Sequence, residues 1–263
     1  MLSVVFRTLR IFGFLGAVMA LAACQFVGDN RQNVPIPKEL VDRMAAIGTS
    51  PAEPMVIRVY KQSSELEVWK RTRSGEFALL KTYPICKWSG TIGPKIREGD
   101  YQSPEGFYNV SPGLMNPKSA YWLSFNVGFP NKFDQAWGRT GSNLMVHGDC
   151  KSVGCFAMTD AGIKEIFALA RETFRGGNAA FQLQLLPFRM TEANMAANAA
   201  SQHLPFWQNL KEGSDIFEAT RQAPAWDVCE KRYVFNRTMP GQPPMDPLGA
   251  CPVSTSTFVA AAF

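Results

Sequence analysis

The chain has little charge and almost no histidine. Only 19% of its 263 residues are charged and just two are His. Its 27 basic residues exceed its 22 acidic ones by a net charge of +5. They are scattered, not gathered into a stripe interleaved with exposed aromatics, so a nucleic-acid partner is not expected. No internal repeat is visible, which sets aside repeat architectures. No apolar run reaches the ~20 residues of a spanning helix, and the run from Ile11 to Ala23 falls short of it. A mildly basic surface suits an anionic polymer or a membrane but decides nothing alone. What is present is 46% hydrophobic residues, enough for one medium-sized core with extensions.

Arg7 and Arg10 precede the apolar run, which reads as a secretory signal over residues 1–23. It ends in Leu21-Ala22-Ala23-Cys24, which resembles the bacterial lipobox. That resemblance implies that Cys24 is lipidated and becomes the mature N-terminus, anchoring the protein to a membrane. An ordinary cut near Ala22, after Ala20-Leu21-Ala22, is the alternative. Gln25 in place of Asp implies the outer membrane, facing the periplasm. Export makes disulfides available. Cys86, Cys150, Cys155, Cys229 and Cys251 are an odd set, so two pairs leave one thiol free.

Residues 24–54 are polar and punctuated by proline, with one amphipathic stretch around Glu39–Ile47, and read as a tether. Met55–Val59 and Glu65–Trp69 read as a hairpin around the polar Lys61-Gln62-Ser63-Ser64, and Phe77–Ile85 as a third strand. The Gly- and Pro-rich Gly90–Gly106 marks turns between short strands. Tyr121–Val127, Leu144–His147 and Phe181–Leu186 are strand-like, and Thr159–Arg175 is an amphipathic helix ended by Gly176-Gly177. The expected fold is therefore mainly β with helices (α+β) over residues 55–187. Residues 188–263 form a C-terminal extension, alanine-rich and helix-compatible over Thr191–Leu210, then proline-punctuated, with a Cys229–Cys251 bridge possible.

The densest chemistry lies between Met145 and Met158. His147 ends a strand, and Cys155 follows eight residues later, just after Gly154 and just before the Thr159 helix. A thiol needs a base to act as a nucleophile near neutral pH, and a paired imidazolium lowers its pKa. Gly154 permits a sharp turn that aims backbone N–H groups at an attacked carbonyl. Read alone, Cys155 is more often a buried hydrophobe or half of a disulfide. A metal site of His147, Cys150 and Cys155 is disfavoured, because the spacing is not a common zinc pattern and no fourth ligand is near. No cofactor is expected. Cys150 can pair with Cys86, stay free, or modulate the site. Turn chemistry alone also explains Thr140, Asp149 and Ser152.

These residues resemble the YkuD-type L,D-transpeptidases, whose signature joins a His-Gly to a downstream Ser/Thr-His-Gly-Cys. His147-Gly148 and Ser152-Val153-Gly154-Cys155 match its halves, and Ser103-Pro104-Glu105-Gly106 is similar to an upstream Thr-Pro-x-Gly. Pro84–Gly90, Phe125-Asn126, Pro130-Asn131, Arg139-Thr140-Gly141 and His147–Cys150 match the YafK-like (DpaA-like) branch. The resemblance implies a YkuD-like β-sandwich or barrel, with Cys155 as nucleophile, His147 as base, and Gly154, Ser152, Arg139 and Gly148 around substrate or oxyanion. It implies peptidoglycan stem peptides as substrate, with a diaminopimelate amine, a protein lysine or water accepting the acyl group. The last would make the protein a hydrolase that detaches an outer-membrane lipoprotein. A non-catalytic murein-binding lipoprotein is the rival. The sequence departs from the family in three ways: the His-to-Cys spacing is short, Val153 replaces a second histidine, and Ala157 replaces an arginine that clamps substrate.

Overall fold

The computed structural model describes residues 30–237 and 243–252. Strands β1 (Met55–Tyr60), β2 (Glu65–Arg71) and β3 (Phe77–Pro84) form the expected meander. With β10 (Phe181–Leu186) and β5 (Gly106–Val110) they make one sheet, ordered β3-β2-β1-β10-β5. A second sheet, ordered β4-β9-β8-β7-β6, holds β4 (Lys87–Trp88), β6 (Met115–Asn116), β7 (Ser124–Asn126), β8 (Met145–His147) and β9 (Phe156–Ala157). Ile57, Val59 and Leu183 of the first sheet share a core with Phe125, Val146 and Phe156 of the second and with Ile163 and Ile166 of the long helix. The architecture is α+β with sheets dominating, as expected from the sequence.

Every residue of β1 is buried, and both faces of the first sheet are covered. Alternation alone predicts one wet face, so the second cover is informative. It comes from the C-terminal segment. The helix Leu204–Thr220, with the hairpin β11 (Trp226–Cys229) and β12 (Arg232–Phe235), places Trp207, Leu210, Val228 and Tyr233 against Tyr60, Phe107 and Leu186. The alanine-rich stretch expected as helix is two helices, Glu192–Ala197 and Leu204–Thr220. The hairpin was not expected. Its turn residues Glu230 and Lys231 both take left-handed φ, 48° and 55°, without the Asn-Gly or Asp-Gly that announces such a turn.

In chain order the helices are α1 (Lys38–Ala46), α2 (Lys132–Ala136), α3 (Asp160–Arg175), α4 (Glu192–Ala197) and α5 (Leu204–Thr220). Leu40 and Met44 of α1 enter the main core, so this part of the segment expected to be a tether is docked on the domain. The Thr159 side chain accepts from Gly162 N and starts α3 where the sequence places the cap. Tyr121–Val127 shortens to the three residues of β7, and residues 90–105 carry no strand.

Polar anchors hold that strandless segment. Lys61, expected in the polar turn of the hairpin, is fully buried. Its ammonium donates to Gly93 O (2.9 Å), Ser103 O (2.9 Å) and Glu105 Oε1 (3.0 Å). Glu105 Oε1 also accepts from Gly93 N (2.6 Å), and Oε2 from Trp207 Nε1 (2.9 Å). A buried pair requires such a complete shell to offset desolvation. Among the described residues, no helix is long and apolar enough to cross a membrane.

Candidate active site

Strand β8 runs parallel to β9, with Val146 opposite Phe156 and His147 opposite Ala157. Parallel neighbours normally need a long crossover; here only residues 148–155 join them. The short arch is fastened at several points. Cys150 is disulfide-bonded to Cys86, with Cα atoms 5.1 Å apart. Asp149 N donates to Asp160 Oδ1 (2.9 Å) at the start of α3. Ser152 Oγ and Ser103 Oγ both donate to Cys155 O, at 2.6 and 3.0 Å. Gly154 takes φ of +112°, which a side chain would strain.

Side chains alternate along strands, so Cys155, Ala157, Met145 and His147 project from one face and Val146 and Phe156 fill the core behind. Cys155 and His147 are thus diagonal neighbours. Cys155 is half-buried and is the free cysteine among the described residues, because Cys229 pairs with Cys251. Its sulfur accepts from Met145 N (3.4 Å) and donates to Asn143 O (3.5 Å). His147 is 3% exposed. Its Nδ1 lies 2.5 Å from Gly148 O, which fixes the tautomer: Nδ1 carries the proton and Nε2 keeps its lone pair. The Tyr121 ring lies 4.8 Å from the imidazole, centroid to centroid.

No hydrogen bond joins Cys155 to His147, and the electrostatics run against the thiolate–imidazolium pair expected from the sequence. Burial pushes the Cys155 thiol pKa up, against the Met145 N–H and the Lys95 charge, which lower it. Burial likewise pulls His147 down, against its Gly148 bond and the Asp149 charge. At rest both groups are held toward neutrality, because each is desolvated with no hydrogen bond to the other.

The cleft beside the sulfur, about 150 Å³, is lined by Lys95, Glu98, Tyr101, Asn143, Val153 and Cys155. Ser152, Arg139 and Gly148 do not line it. Ser152 braces the arch and also bonds Ser89 Oγ (2.8 Å). The Gly148 N–H is taken by Tyr121 O (3.0 Å), and a Cβ there would lie 2.5 Å from Asp160 Oδ1. Arg139 is buried on Asp134 (2.9 Å), beside the stacked rings of Phe133 and Phe206, and lines a separate cavity of about 670 Å³. Lys95 and Glu98 were not singled out from the sequence, since isolated charges in a turn-rich segment carry no spacing signal. With Cys150 in a disulfide, a His147–Cys150–Cys155 metal set has lost a ligand. Cys24 lies outside the described residues.

A free cysteine on a short arch between two parallel strands of a β-rich domain marks the candidate site, and sequence comparison gives the family. The chain is 40% identical over 214 residues to "Putative L,D-transpeptidase YafK" of Escherichia coli (strain K12), spanning 81% of this chain and 84% of that protein. The same identity and coverage hold for the protein of that name from Escherichia coli O157:H7. The chain belongs to the L,D-transpeptidase family. Within it, it falls in the YafK-like branch. No family model matches. Among solved structures, the helical cell shape determining protein Pgp2 (K307A mutant) of Campylobacter jejuni aligns with a TM-score of 0.42 at 17% identity, over 69% of this chain and 66% of that one. Bd1075 of Bdellovibrio bacteriovorus aligns with a TM-score of 0.36 at 21% identity, over 65% and 63%.

Proposed function

We propose that the protein is an acyl-transfer enzyme of the bacterial cell wall, with Cys155 as nucleophile and His147 as general base, acting on diaminopimelate-containing peptidoglycan stem peptides. One observation carries this reading. The free cysteine opens into a cleft on the same sheet face as a histidine whose tautomer leaves Nε2 able to accept a proton.

The resting neutrality of both groups shapes the mechanism. The thiol proton passes to His147 Nε2 as Sγ attacks the carbonyl on the L-centre of diaminopimelate, so a preformed ion pair is not required. The sulfur–imidazole contact tightens in the substrate complex. A C–S bond forms, and the Gly154 and Cys155 N–H groups stabilise the oxyanion. The C–N bond then breaks, and Nε2 returns its proton to the leaving amine. An amine or water, deprotonated by the same nitrogen, resolves the thioester. The protein would act from the periplasm, lipid-anchored through Cys24, with residues 55–187 as the catalytic unit and 188–263 as its support.

Incubation with purified sacculi and muropeptide analysis tests the reading and identifies the acceptor. New 3→3 cross-links point to a diaminopimelate amine, attached lipoprotein to a protein lysine, and trimmed stems or released lipoprotein to water. Products identical to those of a Cys155→Ala control would refute it.

A further inference from the structure

The cleft beside Cys155 carries two charges of opposite sign on one short loop. Lys95 is 3% exposed, yet it lines the cleft and bears electrostatically on the thiol. Two of its three ammonium protons are used, on Asp100 Oδ1 (2.5 Å) and Arg97 O (2.9 Å), which leaves one for a ligand. Asp100 pairs with this ammonium, its carboxylate also accepting from the N–H groups of Ile96 (2.8 Å), Arg97 (3.0 Å) and Gln102 (3.0 Å), so what Lys95 offers the cleft is its third ammonium proton. Burial raises the Asp100 pKa, and those four donors outweigh burial and hold it below the usual range. On the same loop and also lining the cleft, the exposed Glu98 carboxylate has no partner among the described residues.

The loop's position is fixed from outside. Thr140 N donates to Ile96 O (3.1 Å), and Thr140 Oγ1 accepts from Glu98 N (3.1 Å). A Cβ on Gly141 would lie 2.5 Å from Lys95 Cε, so this glycine leaves room for the lysine stem. Arg139 ties the same segment to Asp134. The Arg139-Thr140-Gly141 run is therefore a positioning device for Lys95 and Glu98.

We infer that this cleft is a subsite for a zwitterionic α-amino-carboxylate, with Lys95 taking the carboxylate and Glu98 the ammonium. It rests on the proposed role of Cys155. The matching chemistry on a stem peptide is the free D-centre of diaminopimelate, one side chain away from the attacked carbonyl. At about 150 Å³, the space suits such a head group and is well below the ~300–1,000 Å³ of sites for larger ligands.

The test uses the full-length protein in detergent and synthetic stem tetrapeptides in three forms: D-centre free, its carboxylate amidated, or its ammonium acetylated. Acylation of Cys155 is followed by intact mass, and kcat and KM are separated. A charge-assisted hydrogen bond implies that amidation lowers kcat/KM in the wild type by about 10-fold or more, mostly through KM. Lys95→Met should lose as much on the free peptide and then hardly distinguish free from amidated, while Lys95→Arg regains part of the preference. Glu98→Gln should do the same for acetylation, and Gly141→Ala should weaken the carboxylate preference with both charges intact. Equal acylation of free and amidated peptides by the wild type would overturn the subsite and leave Cys155 as nucleophile. Undiminished discrimination by a folded Lys95→Met would also overturn it. Absence of any thioester, with all three peptides, would overturn the role of Cys155 and the subsite with it.

Discussion

Trp207 offers a severe test of how the C-terminal segment supports the site. It is 1% exposed and meets Phe188 edge-on at 5.3 Å. Its Nε1 is also the donor that satisfies Glu105 Oε2 at 2.9 Å. Trp207→Phe keeps most of the ring packing but leaves a buried carboxylate oxygen without its donor. A lost hydrogen bond to a charged group is worth about 1.5–3 kcal/mol, which for a domain of this size lowers Tm by roughly 3–12 °C. Trp207→Ala adds the cavity and should cost about 3–5 kcal/mol for the truncation alone. Thermal melts by circular dichroism and urea midpoints read both. The consequence should reach the chemistry too, because Glu105 Oε1 holds Gly93 N (2.6 Å), two residues before Lys95. A Trp207→Phe protein that melts within about 1 °C of wild type, below the smallest shift expected, would refute the claim that this bond braces the site.

Three further outcomes follow from the geometry. Because burial raises the Cys155 pKa, alkylation by iodoacetamide should reach half its maximal rate above pH ~8.5, the free-thiol value. Lys95→Met should push that midpoint higher still by removing a stabilising cation, and a midpoint at or below the free value would contradict the resting state described. The Cys86–Cys150 bridge closes a loop of 64 residues; Cys86→Ala with Cys150→Ala should destabilise by about 4 kcal/mol on the loop-entropy relation while leaving measurable acylation, read by urea denaturation and intact mass. Radiolabelled palmitate should enter the wild type and not Cys24→Ser; an unlabelled wild type would remove the proposed anchor.

Local pattern was legible in the sequence and long-range pairing was not. The alternation of Phe181–Leu186 and the cap at Thr159 fall where expected, since each depends on neighbours within a few positions. Odd cysteine parity anticipated a free thiol but not which cysteine pairs with Cys86, 64 residues from its partner. Lys61 looked like a turn residue because its burial depends on Glu105, 44 residues away. Arg139 was expected near substrate from the family resemblance; its bond to Asp134 and its place beside two aromatic rings depend on pairings the sequence does not display. The spacing of His147 and Cys155 puts them near each other, while the strand register, which spacing does not reveal, places them diagonally with no hydrogen bond between them.

The shortness of the arch between β8 and β9 has a consequence for how this chemistry can be moved. The proposed base ends β8 and the proposed nucleophile immediately precedes its parallel neighbour β9, within one span of the chain. Their relative placement is set by a single strand register, whereas most catalytic pairs depend on two distant elements docking correctly. Residues 143–158, together with a Cys86-like anchor and a helix start to catch Asp149 N, form a nearly self-contained cassette. Transplanting it into another two-sheet scaffold with a matching parallel pair should carry over the geometry of the pair, leaving the cleft-lining loop at residues 93–102 to be supplied separately.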